Sequence, residues 1–146
     1  MADSLRERAL KLLARREHSR RELARKLAPR CEDPDELARV LDELQARGWL
    51  SERRVVEQLV HTRRSRFGAR RIERELLEKG VSEDAVAGVL PDLKAGDLAA
   101  ARAVWRKKFG RQPRTAAERA RQARFLQGRG FALDVIMKVL KSRDEE

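Results

Sequence analysis

The strongest constraint on the fold is a recurrence of apolar positions roughly every 50 residues. Moved along by 49, Leu23, Leu27, Leu37, Val40, Leu41 and Leu44 fall on Ile72, Leu76, Val86, Val89, Leu90 and Leu93. Moved by 50, Leu76, Val86, Val89 and Leu90 fall on Leu126, Ile136, Val139 and Leu140, and Gly80 falls on Gly130. Every match is an apolar or turn position, so what repeats is a core. A period of this length, carried by two helical stripes and a turn, identifies a tandem helical repeat in which each unit buries little on its own.

The local signals divide each copy into three helices. Ser4 and Ser19 stand as N-caps, each with Glu three residues on, at Glu7 and Glu22. Leu5, Ala9, Leu12 and Leu13 form the apolar face of the first helix, and Leu23 and Leu27 that of the second, which Pro29 limits. Asp33 followed by Pro34 starts a third helix, with its stripe at Leu37, Val40, Leu41 and Leu44 and its stop at Gly48. Trp49 and Leu50 should pack at the junction. The second copy begins at Ser51 with Val55, Val56, Leu59 and Val60, and breaks at Phe67-Gly68. It continues with Ile72 and Leu76, stops at Gly80, and restarts at Ser82 with Val86, Val89 and Leu90. Pro91 should end or kink that helix. The third copy carries Leu98, Ala101, Val104, Trp105 and Phe109, then a loop over Gly110–Arg114. A helix capped by Thr115 and anchored by Phe125 and Leu126 follows, then a last one with Leu133, Ile136, Met137, Val139 and Leu140. The acidic end from Asp144 to Glu146 should fray.

The expected fold is therefore all-α: an elongated, curved array of three tandem three-helix, helix-turn-helix-like repeats, over residues 1–48, 49–94 and 95–146. Composition agrees. Ala, Glu, Lys, Leu and Arg make up 61% of the chain, Tyr is absent, and β-branched residues are few, which favours helix over sheet. Pro91 and Gly96 mark a possible hinge between the second and third repeats. If Gly68 uses a left-handed backbone angle, Gly68→Val should harm folding.

The net charge is +11, and 27 of the 35 basic residues are Arg. That excess points to an anionic partner, nucleic acid or an acidic protein surface, and Arg suits bidentate contacts to phosphate or carboxylate. Where the charge sits argues against base reading. A helix-turn-helix protein leads with its last helix in the major groove. Here the third helices carry Asp35, Glu36, Asp42 and Glu43, then Glu83, Asp84 and Asp92, then Asp134, with Lys138 and Lys141 only near the end of the last one. The positive clusters lie on first and second helices: Arg63, Arg64, Arg66, Arg70, Arg71 and Arg74 in the middle copy, and Arg106, Lys107, Lys108, Arg121 and Arg124 in the last, with Arg114 and Arg119 beside them. At 100° per residue Ile72, Leu76 and Ala69 share one face while Arg70 and Arg74 point away. These groups suit a phosphate backbone or an acidic surface, not base edges. The alternative for each is a solvated face with pairs such as Arg71–Glu75 or Arg74–Glu78.

Enzyme signatures do not occur. His18 and His61 stand in separate repeats, where surface or pairing roles fit better than catalysis. No P-loop, GxSxG or dinucleotide fingerprint is present, and no cofactor is expected. Lone Cys31 has no partner for a metal site or disulfide. Trp49, Trp105, Phe67, Phe109, Phe125 and Phe131 read as core, not as stacking platforms. No apolar run approaches membrane-spanning length. A cytoplasmic monomer without membrane contact is the expected state.

Three segments carry a family resemblance. Residues Ala9 to Ser19 (ALKLLARREHS) with Glu22-Leu23 and Lys26-Leu27 resemble the opening of the RecX regulatory proteins. So do Phe67-Gly68-Ala69-Arg70-Arg71-Ile72 with Glu75-Leu76 and Lys79-Gly80-Val81, and Phe125-Leu126 through Arg129-Gly130-Phe131. The likeness spans nearly the whole chain in order. It departs after Trp49-Leu50, where the family usually shows acidic residues and then Arg-Phe-Ala but this chain has Ser51-Glu52-Arg53-Arg54-Val55-Val56. It departs again at Ala69, where the family often has Pro. The resemblance implies tandem three-helix repeats lying in the groove of a RecA filament on single-stranded DNA. It implies inhibition of ATP hydrolysis, strand exchange and co-protease activity, with nonspecific binding to single- and double-stranded DNA. The alternative is a stand-alone, sequence-nonspecific DNA-binding protein.

Overall fold

A computed structural model describes residues 3–141; the expectation for Asp144–Glu146 lies outside the described residues. Among these residues the secondary structure is helical throughout. In chain order the elements are α1 (Leu5–Arg15), α2 (Arg20–Leu27), a short 3₁₀ turn (Ala28–Arg30), α3 (Pro34–Ala46), α4 (Glu52–Arg63), α5 (Ala69–Glu78), α6 (Glu83–Ala95), α7 (Asp97–Lys108), α8 (Ala116–Gly128) and α9 (Leu133–Leu140).

The capping signals are realised as hydrogen bonds. Ser4, Ser19, Asp33 and Thr115 each accept a main-chain N–H of the first turn. At Ser19 the reciprocal bond from its own N–H to Glu22 completes a capping box. Each cap is worth about 1 kcal/mol to its helix. Pro29 converts the end of α2 into the 3₁₀ turn. Gly48, Gly80 and Gly130 end α3, α5 and α8 with φ between 76° and 94°.

Two compact units emerge. Unit 1 holds residues 1–58 and 76–86; unit 2 holds 59–75 and 87–146. In unit 1 the core is Leu5, Ala9, Leu23, Leu27, Leu41, Leu44 and Leu50, with Leu10, Leu12, Leu13, Leu37 and Val40 packed against it. In unit 2 it includes Ala101, Val104, Leu126, Phe131, Ile136, Val139 and Leu140. On the second helix of each copy the repeat register is also the burial register, with Leu23, Ile72, Leu76 and Leu126 fully buried; on the third helices it is looser, since Leu90 is half-buried where Leu41 and Leu140 are buried. Each such Leu or Ile contributes about 1.5–3 kcal/mol by leaving water.

Several expectations change. Helix α6 runs through Pro91 for one more turn. Buried Leu93 anchors that turn, and Arg64 Nη2 donates to its carbonyl at 2.5 Å. The Pro91–Gly96 joint is thus tied down. Leu133 and Met137 are exposed on α9, because its inward stripe is Ile136, Val139 and Leu140. Of the aromatic residues only Phe131 is fully buried. Trp49 is 39% exposed and lies between the guanidinium groups of Arg6 and Arg47, 5.4 and 5.2 Å from its ring. Of the two roles expected for His18 the pairing one holds: it is buried and hydrogen-bonded to Arg16 and Lys26.

Candidate polyanion-binding surface

The two units differ completely in charge. Unit 1 has 15 Lys and Arg against 15 Asp and Glu, a balance of zero; unit 2 has 20 against 9. The whole excess of +11 therefore belongs to unit 2. Unit 1 spends its bases internally. Glu43 takes Arg6 and Arg47, Asp42 takes Arg20, and Glu17 takes Arg54 at 2.9 Å. Two of the acids of α3, Asp42 and Glu43, thus answer Arg20 on α2 and Arg6 on α1.

The origin of the difference is visible at a joint that occurs once in each unit. In unit 1 the Ser19 hydroxyl donates to the Lys79 carbonyl at the end of α5, and Gly80 packs on the Arg21 side chain. In unit 2 the Gly68 N–H donates to the Arg129 carbonyl at 2.7 Å, and the Arg70 N–H to the Gly130 carbonyl at 3.2 Å. Ser19 and Gly68 are 49 residues apart, Lys79 and Arg129 are 50 apart, so this is one joint built twice.

The side chains on the two joints are opposite in kind. In unit 1 Glu22 accepts from Arg16 at 2.9 Å and Lys79 at 3.3 Å. Burial alone would raise its pKa, but hydrogen bonds from Arg16 and the Ser19 N–H, with the charge of Lys79, hold it at about 2. Beside it His18 is a neutral imidazole. Its Nδ1–H donates to the Arg16 carbonyl at 3.0 Å, and its Nε2 accepts from Lys26 at 2.9 Å; a carbonyl can only accept and an ammonium only donate. Burial pushes its pKa below the ordinary value. In unit 2 the residues at the registers of His18 and Glu22 are Phe67 and Arg71. The guanidinium groups of Arg66, Arg71 and Arg129 lie 5.4, 4.4 and 5.3 Å from the Phe67 ring centre. Among the described residues no carboxylate pairs with these three.

Next to this cluster an open cavity of about 400 Å³ is lined by Ser65, Arg66, Val104, Lys107, Lys108, Phe125 and Arg129. Lys108 and Arg129 lie 5.4 and 5.0 Å from the Phe125 ring, which meets Phe109 edge-on at 5.4 Å. Buried Gln122 holds the loop behind it, accepting from the Trp105 indole at 2.8 Å and donating to the Arg111 carbonyl at 3.1 Å.

The residues singled out from sequence fall into two sets. Arg64 and Arg63 serve the fold. Arg64 Nη1 pairs with buried Asp97 at 2.7 Å, and Asp97 also accepts the Ala69 N–H at 3.0 Å. Arg63 pairs with Glu75 at 3.0 Å. That claims Glu75, so Arg71 rests on Phe67 in place of an i,i+4 pair. Arg66, Arg70, Arg74, Arg106, Lys107, Lys108, Arg121 and Arg124 are exposed. Arg66, Lys107 and Lys108 converge on the cavity; Arg106 lines a second one of about 520 Å³ with Arg102, Trp105 and Lys141. Sequence reasoning missed Arg129; it read Phe67 and Phe125 as core, and Phe125 does pack against the unit 2 core while both rings stay half-buried. The register would have shown Arg129, since it repeats Lys79.

Among the described residues no group of His, Cys, Asp or Glu could hold a metal ion, and no helix is long and apolar enough to cross a membrane. Fold and surface together define a tandem three-helix repeat protein whose excess positive charge is confined to one unit. Family models described as the first, second and third three-helix domains of RecX match residues 6–44, 51–90 and 96–140. The chain belongs to the RecX family of regulatory proteins. It is 54% identical to "Regulatory protein RecX" of Leptothrix cholodnii, over 98% of this chain and 91% of that one. It is 46% identical to that of Ralstonia nicotianae, over 97% and 89%. The crystal structure of RecX from Lactobacillus salivarius shares the fold at a TM-score of 0.80 and 16% identity, covering 97% of this chain and 96% of that one.

Proposed function

We propose that this chain is a non-enzymatic regulator that binds the RecA recombinase filament on single-stranded DNA and inhibits its ATPase, strand-exchange and co-protease activities. The observation that carries the reading, beside membership of a family of regulatory proteins, is the confinement of the entire +11 to unit 2. A filament on DNA offers both phosphates and acidic protein surface, and a concentrated field raises the rate of encounter with either. The repeats at 1–48, 49–94 and 95–146 are the building blocks of this binder. Its contact residues are Arg66, Arg70, Arg71, Arg74, Arg106, Lys107, Lys108, Arg121 and Arg124, while Arg63 and Arg64 contribute by holding the joint. The protein works in the cytoplasm as a monomer.

The deciding experiment adds purified protein to RecA filaments on single-stranded DNA and follows ATP hydrolysis. Inhibition at stoichiometric amounts is expected; an unchanged rate refutes the reading. The charge of unit 2 also supports a second reading, stand-alone nonspecific DNA binding. That reading requires tight binding to DNA without RecA, falling by about 0.7–0.9 log units per tenfold salt for each phosphate contacted.

A further inference from the structure

We propose that the Phe67–Phe125 region of unit 2 is a subsite for one nucleotide of single-stranded nucleic acid, with a base against Phe125 and the flanking phosphates held by Arg66, Lys107 and Arg129. The inference rests on the reading that this chain acts on a filament containing single-stranded DNA, and it assigns where the strand is touched.

The two joints differ in charge at one register. At the same register unit 1 places Glu22 among its bases and closes the network internally. Unit 2 places Arg71 there and gathers Arg66, Arg71 and Arg129 on a single ring. Three like charges repel one another, and the phenyl face offsets only part of that repulsion. An incoming anion is attracted by all three at once. The cavity beside the Phe67 cluster is built to match. Its lining combines Phe125 and Val104 with four cationic side chains and contains no acid. Its volume of about 400 Å³ lies in the small-ligand range, about 300–1,000 Å³. An aromatic wall rimmed by basic groups is the arrangement that takes unpaired bases and their backbone.

Nucleic acid and an acidic peptide make different demands on this cavity. The joint's main-chain N–H groups at Gly68 and Arg70 are already bonded to Arg129 and Gly130. The described residues offer no strand edge. A peptide in this cavity would find donors for its C=O groups in the cations but no strand edge along which to pair its main-chain N–H groups. A phosphodiester strand needs only cations and a stacking surface, and both are present.

The test uses the full chain and a short fluorescein-labelled oligothymidine, read by anisotropy without RecA. Arg66→Glu with Lys107→Glu should weaken binding about tenfold and lower the salt slope by roughly 0.7 per lost phosphate contact. Arg39→Glu with Arg53→Glu, the same change in charge on unit 1, should weaken it about twofold or less. Phe125→Leu should cost roughly tenfold on oligothymidine but little on an abasic strand of equal length. Each variant is first checked for an unchanged melting temperature; if Phe125→Leu fails this check, the abasic strand with the wild-type chain supplies the stacking measurement. Equal losses in both double variants, equal binding of abasic and thymidine strands, or displacement by polyglutamate as efficient as by unlabelled strand would each overturn the subsite. Measuring RecA ATP hydrolysis with the same proteins separates the two readings. A wild-type chain that inhibits RecA while oligothymidine binding ignores Arg66 and Lys107 disproves the subsite alone.

Discussion

Gly68 donates its main-chain N–H to the Arg129 carbonyl at 2.7 Å, and a Cβ on Gly68 would lie 2.5 Å from the Gly130 oxygen and 2.6 Å from the Phe131 ring. Gly68 is required here by close approach. It is not among the positive-φ glycines, so a left-handed angle is not the reason, as the sequence suggested. Across the same contact Gly130 does use φ 94°, with Arg71 pressed against it. Gly68→Ala should therefore destabilise the protein by about 1–3 kcal/mol through overpacking, and Gly68→Val by more. Thermal unfolding checks this; an Ala variant that melts at the wild-type temperature would contradict it.

Asp97 and Arg64 form the second fixed point of unit 2. Asp97 is 4% exposed and accepts from both Arg64 and the Ala69 N–H. Asp97→Ala should cost about 3 kcal/mol, because it strands a largely buried guanidinium and a main-chain donor. Arg64→Met with Asp97→Ala should recover part of the loss. A denaturant-melt double-mutant cycle measures this. If Arg64 served mainly as a partner contact, Arg64→Met would weaken binding and leave stability intact.

The His18–Glu22 network makes unit 1 sensitive to acid. The folded pKa of His18 lies below its ordinary 6.5, so below that pH the unfolded chain takes up a proton that the folded chain resists, and stability falls. Glu22 titrates at about 2 when folded against an ordinary 4.5. Its contribution is complete above 4.5 and is lost as pH falls toward 2. Because water still reaches this carboxylate, that contribution is on the order of 2 kcal/mol. The melting temperature should drop from pH 7 to 5, and drop further below 4.5. His18→Gln, whose amide can still accept from Lys26, should flatten the first step and leave the second; an unaltered first step would show that His18 is not its source.

Charge reversal should matter by unit rather than by count. Arg121→Glu with Arg124→Glu, exposed on α8, should raise the concentration needed to inhibit RecA ATP hydrolysis about tenfold. Arg39→Glu with Arg53→Glu in unit 1 should change it about twofold or less, since exposed ion pairs there contribute little. Circular dichroism should show equal helix content in both. Equal effects on inhibition would mean that the confinement of charge has no role.

The sequence by itself determined the helices, their caps and their buried stripe. These depend on contacts within a few residues and on a periodicity that Leu23, Ile72 and Leu76 display openly. It also determined that an excess of positive charge exists and lies away from the third helices. Tertiary structure decided which bases are spent. Arg64 and Asp97 are 33 positions apart, and Phe67 meets Arg129 only because the Gly68 joint brings α5 to the end of α8. Periodicity specifies which way a side chain leaves its own helix. The groups it meets there are set by packing between helices distant in sequence, which at this joint lays Arg66, Arg71 and Arg129 against the half-buried Phe67.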